Sequence, residues 1–441
     1  MNRLHGKGTT RIHGPASRAD SPRMEEKASN PASERLEWLD GLRALAVLSV
    51  LVDHLIVNTP RLYGQANLSS FNPASIWREG SHGVDLFFVI SGFCLALPSM
   101  RKLAAGGTAG FDVARFYAKR LARILPPYWA AIGLFALGIL ALPALGLPLP
   151  LSISPRVNAA DILRQALFID RDTRFANASF WSLAVEMRWY FVFPLALWCW
   201  IRAPRLFTTI LFGSAFGYMF TRTHNLDQGT LPGFLFGIIA ADLAVRRAAA
   251  MRTVVLVGFA AIVFALLTQS VSTMPDVEGI ERAAFWMQTN VGWQAAAFAL
   301  VLAVARHGAL RCIFSWRPLV AVGTASYSIY LVHEPVIGTV ATLLAPFSLP
   351  ISLTLSAAVA IFAGFGFWAV VERPLTSPRT RRQIVDFALT PIANACVAIQ
   401  CPAQITLVRN PENAPRLQFE LARFRTAASH SISTHPTVLR E

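Results

Sequence analysis

Asp40, Arg43, Val47, Val50 and His54 follow one another at intervals of 3, 4, 3 and 4 residues. In a helix those intervals put all five on one face, so an acid, a guanidinium and an imidazole share a stripe. Arg43 and His54 return to within roughly 20° of one direction and lie about 16 Å apart along the axis. An imidazole takes and gives a proton near neutral pH. It suits general-base work on a hydroxyl or transient carriage of a transferred group. A guanidinium at the far end of the stripe suits a phosphate. Asp53 points off the stripe.

Other reactive side chains recur along the chain. Asp85 stands near the start of Gly83-Val84-Asp85-Leu86-Phe87-Phe88-Val89-Ile90-Ser91-Gly92-Phe93. Ser91 and Gly92 in that run are small, and helix packing is the ordinary role of small residues in such a run. Arg120 and Arg123 share a helical face, where ordinary anchoring competes with a phosphate-binding role beside Arg43. Phe180-Trp181-Ser182 leads to Glu186, with Ser179, Ser182 and Glu186 on one face and Arg188 elsewhere. His333, with Glu334 beside it and Pro335 next, closes a serine- and tyrosine-rich run from Ser326. It is read either as a polar-packed hinge or as part of a site.

The elements that carry these groups follow from composition. The chain has 441 residues, 54% hydrophobic and 15% charged, with a mean hydropathy of +0.46. A soluble domain carries roughly 25% charge. The apolar residues come in long runs, and about 20 are needed per crossing. The runs give ten spans: 40–57, 82–99, 124–146, 179–201, 205–221, 229–245, 252–270, 283–305, 323–345 and 350–372. The expected fold is an all-α polytopic membrane bundle. Ionisable groups in spans cost at least about 2.5 kcal/mol each on insertion scales, so each is a functional candidate.

The net charge of +15 sits in short clusters between apolar runs, which is the positive-inside pattern and argues against nucleic-acid binding. Arg101 to Arg123, Arg202 and Arg205, Arg246 to Arg252, Arg306 to Arg317 and Arg373 to Arg382 all fall on one side. Both termini are therefore expected to be cytoplasmic. Residues 1–35 read as a disordered polar tail without a signal peptide. There Gly6-Lys7-Gly8-Thr9-Thr10 lacks the first glycine and the preceding strand of a phosphate loop. Residues 36–375 form the membrane domain, and 376–441 read as a cytoplasmic tail, disordered or interfacial. Cys94, Cys199, Cys312, Cys396 and Cys401 show no metal-ligand spacing, so no metal is expected. The outer loops 58–81 and 147–178 are candidates for acceptor contact.

Leu39-Asp40-Gly41-Leu42-Arg43-Ala44 through His54, Gly83 to Phe93, Arg120 to Pro127, Phe180 to Glu186, Ser326 to His333 and Glu372-Arg373-Pro374 occur in order. Together they resemble the acyltransferase 3 family of integral-membrane O-acyltransferases over residues 36–375. The resemblance implies about ten helices and transfer of an acetyl or other acyl group to a hydroxyl, often on a glycan. Arg43 and His54 match the family's first-helix signature. Where the family usually has a second acid and then a glutamine, Met187 and Arg188 stand here. Some members carry a C-terminal esterase-like domain, for which the tail here is too short.

The site expected from these readings has two layers. Arg43, Arg120 and Arg123 bind the phosphates of cytoplasmic acyl-CoA, expected to be acetyl-CoA, which acts as co-substrate with no permanently bound cofactor. His54, Glu186 and Asp85 form the catalytic layer toward the outside. Ser91, Trp181, Ser182 and His333 are acceptor-binding or structural. The acceptor is a glycan or other hydroxyl compound, membrane lipid surrounds the protein, and the expected location is the bacterial inner membrane. A transporter or flippase with intramembrane His, Glu and Arg is the alternative. The absence of an internal repeat and the arginines clustered at one end count against it.

Overall fold

The computed structural model describes residues 36–59, 80–107, 109–146, 158–169, 177, 179–220, 226–246, 258, 280–399 and 405–407. The expected tail 1–35, the span 252–270 and most of the loops 58–81 and 147–178 lie outside the described residues. The described chain is helical: α1 (Glu37–Val57), α2 (Gly83–Ala104), α3 (Val113–Ala144), α4 (Ala159–Ala166), α5 (Phe180–Arg202), α6 (Pro204–Phe220), α7 (Leu226–Arg246), α8 (Ile280–Arg306), α9 (Gly308–Phe314), α10 (Arg317–Thr324), α11 (Ser326–Leu343), α12 (Leu349–Phe367) and α13 (Pro378–Ile399). A π-helical turn, Trp368–Glu372, follows α12. One short antiparallel pair, β1 (Ala109–Phe111) with β2 (Ile405–Leu407), sets Gly110 opposite Thr406.

Among the described residues, Gly80–Ala104, Val113–Ala144, Gly229–Arg246 and Leu349–Leu375 are long and apolar enough to cross a membrane. A fifth crossing is added if Asn290–Arg306 and Gly308–Phe314, bent by 105°, count as one broken span. α12 shows what surrounds the bundle. Ser352, Ser356, Ala360 and Gly364 face inward, whereas Ile351, Leu355, Val359 and Phe362 are exposed. Small residues inward and large apolar residues outward invert the soluble pattern and fit a lipid environment. α3 likewise exposes Trp129, Leu134, Leu137 and Leu140.

Several helices depart from the expected boundaries. α3 begins at Val113, eleven residues before the expected span, because the Asp112 side chain accepts from the Arg115 backbone N–H at 2.9 Å and caps it. Pro126 and Pro127 lie inside α3 without ending it. The expected span 323–345 is divided, with α10 ending at Thr324 and α11 starting at Ser326. Within the expected tail 376–441, residues Pro378–Ile399 form α13, which packs Val385 against Ala118 and Ala122 of α3.

Close helix approaches hold α1 and α2 in place. A Cβ on Gly92 would collide with the Phe234 carbonyl, and one on Gly237 with the Val89 carbonyl, so only glycine lets α2 and α7 cross this tightly. Gly41 and Gly323 do the same where α1 meets α9 and α10. At the opposite end of the bundle, Glu334 of α11 accepts from the Ser179 backbone N–H at 2.8 Å and its hydroxyl at 2.6 Å. Asn177 donates to the Leu331 carbonyl at 2.9 Å. These bonds tie the start of α5 to the middle of α11.

Candidate active site

The arginine layer assembles from α1 and α3. Arg43 donates to Asp40 at 2.8 Å, as the spacing of three residues requires, and to the Cys94 sulfur of α2 at 3.3 Å. The Arg120 guanidinium lies 5.9 Å from the Phe116 ring centroid and 6.0 Å from that of Tyr190, a distance at which a cation is attracted to a ring face. Arg43 and Arg120 are half-buried and Arg123 is exposed.

Glu186 faces this layer from α5. Its Oε1 accepts from the Ser91 hydroxyl and, at 2.5 Å, from the Tyr190 hydroxyl. Tyr190 is one helical turn on from Glu186, so this pairing follows from sequence spacing. The tight packing at this point of α2 belongs to Gly92, while Ser91 turns its hydroxyl to Glu186. Tyr327 donates to the Ile124 carbonyl at 2.9 Å and bridges α11 to α3.

Arg43, Arg120, Arg123, Ser91, Cys94, Glu186, Tyr190, Ser182, Tyr327 and Tyr330 line one cavity, which encloses about 900 Å³ including its mouth. Ser182 and Tyr330 share a hydrogen bond of 2.6 Å between their hydroxyls. Tyr330 also donates to the Ser179 carbonyl at 2.9 Å.

The histidines meet next to Tyr330, and neither is among the residues that line the cavity. His54 Nδ1 and His333 Nε2 are 2.6 Å apart, joining residues 279 positions distant in sequence. The ring centroids are 4.8 Å apart with the planes inclined by 26°. That separation is close to the nitrogen–nitrogen distance plus one ring radius on each side. The rings therefore meet edge to edge, as an in-plane hydrogen bond demands. His333 is fully buried, and its centroid lies 5.5 Å from that of Tyr330. His54 is partly exposed, with its Nδ1 edge turned into the bundle.

Asp85 is placed differently. Its two oxygens meet His82 Nδ1 at 2.7 Å and the Gln294 amide at 2.8 Å, and His82 lies over the Trp293 ring with centroids 4.9 Å apart. Asp85 thus joins the start of α2 to α8 and does not line the cavity. Trp181 is half-buried against the main apolar core. Met187 is buried and Arg188 half-buried. Among the described residues no group of three or more His, Cys, Asp or Glu is placed to hold a metal ion.

Sequence reasoning did not single out Cys94, Tyr190, Tyr327, Tyr330, His82 or Gln294 for the site. Tyr190, Tyr330, His82 and Cys94 had a readable signal, each lying within a turn of a residue that was selected. Tyr327 and Gln294 come to the site only through folding.

The family model described as "Acyltransferase domain" matches residues 36–373. The chain is 26% identical over 343 residues to O-acetyltransferase OatA of Staphylococcus aureus (strain NCTC 8325 / PS 47), covering 68% of this chain and 50% of that protein. It is 24% identical over 334 residues to Peptidoglycan O-acetyltransferase OatA of Listeria monocytogenes serovar 1/2a (strain ATCC BAA-679 / EGD-e), covering 68% and 49%. A shorter stretch of 124 residues is 36% identical to Protein 2 in picA locus of Rhizobium radiobacter, covering 28% and 56%. The chain spans about half the length of the curated OatA relatives it matches. No solved structure matches. With the match running through every segment that builds the cavity and the histidine pair, the chain belongs to the acyltransferase 3 family.

Proposed function

We propose that this protein is a membrane O-acyltransferase that moves an acetyl or other short acyl group from acyl-CoA to a hydroxyl of a glycan or related acceptor. One observation carries the reading: a single cavity runs from Arg43, Arg120 and Arg123 to Ser182 and Tyr330, and the His54–His333 pair stands against Tyr330. The arginines suit the phosphates of the donor, and the cavity suits its long thioester arm. The printed names of the Staphylococcus and Listeria relatives support acetyl as the group, and the Listeria name supports a peptidoglycan-like acceptor.

In this scheme the thioester carbonyl lies at the Tyr330 end. His54 takes the proton of the acceptor hydroxyl as its oxygen bonds to the carbonyl carbon. The carbon–sulfur bond then breaks, and the proton passes from His54 to the departing thiolate. Glu186, held by Ser91 and Tyr190, shapes the middle of the donor path. Asp85 acts at a distance from the reacting atoms, orienting His82 and Gln294. The full bundle has ten spans, both termini lie in the cytoplasm with the arginine layer, and the acceptor approaches from the outer face of a bacterial inner membrane.

The test is incubation of detergent-purified protein with acetyl-CoA and a glycan acceptor. Free CoA and acetylated acceptor should appear in equal amounts. Passage of a solute across proteoliposomes without CoA release would replace this reading with the transport one.

A further inference from the structure

The geometry points to His333 as a positioning residue that fixes which nitrogen of His54 acts as the base. This rests on the reading of His54 as the general base and adds the atom and the device that aims it. The argument starts at a backbone carbonyl. His333 Nδ1 lies 2.8 Å from the Tyr330 carbonyl oxygen. A carbonyl only accepts, so Nδ1 of His333 carries the hydrogen. In a neutral imidazole the other nitrogen then holds a lone pair. That nitrogen, Nε2, is the one that meets His54 at 2.6 Å, so His54 Nδ1 donates the shared hydrogen.

A neutral His54 that donates through Nδ1 has its lone pair on Nε2. Nε2 lies on the ring edge turned away from His333, and His54 is the partly exposed member of the pair. The base nitrogen is therefore the one that His333 leaves unengaged. His333 is held for this task. It is fully buried, and its neighbour Glu334 is bonded to Ser179 at the start of α5. When His54 takes a proton, Nδ1 keeps its bond to His333 and the new charge is shared across that contact. A helix-borne carbonyl thus sets one ring, and that ring sets the next. A carboxylate beside a catalytic histidine performs the same service in hydrolase triads, but here a neutral imidazole performs it.

Two measurements test this on the full chain in lipid nanodiscs. The first is nitrogen NMR of protein labelled at its histidine rings, with His54→Gln identifying the His54 signals among the nine histidines. Above neutral pH, His54 should show the pattern of hydrogen on Nδ1 and lone pair on Nε2. A His54 signal with hydrogen on Nε2 would overturn the inference.

The second is CoA release. His333→Leu should lower kcat by at least about tenfold, a part of the roughly 10²- to 10⁴-fold that a positioned base contributes, with the KM for acetyl-CoA nearly unchanged. His333→Gln, whose amide oxygen can accept from His54 Nδ1, should recover a large part of that loss. A His333→Leu enzyme with unchanged kcat, in a protein that His54→Gln inactivates, would sink the positioning role alone. A fully active His54→Gln would instead remove the enzymatic reading on which it stands. If His333→Leu fails to insert, the NMR pattern of the unmodified protein and the His333→Gln rate still decide.

Discussion

At the scale of single residues the strongest predictions concern the two ends of the first-helix stripe. His54→Ala should lower acyl transfer by about 10²- to 10⁴-fold, the usual worth of a positioned base, while the protein still inserts and purifies as a folded species. Equal CoA release by the two proteins would remove His54 from the mechanism. Arg43→Ala should raise the KM for acyl-CoA by about tenfold or more, as expected for losing a charge-assisted contact of roughly 1.5–3 kcal/mol. The KM for the acceptor should stay close to its original value. Initial rates with each substrate varied in turn make the comparison. The Asp40–Arg43 pair and the common face of Arg43 and His54 were legible in the sequence because helical periodicity alone fixes them. The partnership of His54 with His333 was not, because 279 residues of chain separate them and no local rule spans that distance. Ser91 was easy to misread for a different reason. It adjoins Gly92, and adjacent residues on a helix point about 100° apart, so one packs against α7 while the other bonds Glu186.

At the scale of elements, hydropathy located the helices well where few charged residues interrupt them, as in α12. It could not find the early start of α3, which depends on an aspartate cap and a polar first turn rather than on apolar content. It also did not mark the break between α10 and α11, because Thr324, Ser326 and Ser328 fall within a run that is apolar on average. The α2–α7 crossing yields a prediction of its own. Gly92→Leu should destabilise the bundle by at least about 1–3 kcal/mol, the range for overpacking, because the new side chain would meet the Phe234 backbone. Fluorescence-detected size exclusion after a temperature ramp should show the loss at a lower temperature than for the unmodified protein. An unchanged melting point would mean that α2 and α7 separate more readily than their contact implies.

At the scale of the whole molecule, the basic loops predict a single orientation. A reporter fused after residue 205 and another fused after residue 382 should both report a cytoplasmic location, and one fused within 147–157 the opposite face. Split locations for the first two would break the ten-span arrangement. The cavity draws its walls from α1, α2, α3, α5 and α11, and so from residues as far apart in sequence as Arg43 and Tyr330. Synthesis runs in one direction only. The ribosome adds roughly 5–20 residues per second, so the 279 residues between the paired imidazoles take on the order of half a minute to emerge. For that interval the first helix has been made and its histidine has no partner at His333. A nascent chain stalled before residue 325 should accordingly be an early target for membrane quality-control proteases, and one extended past α12 should escape them.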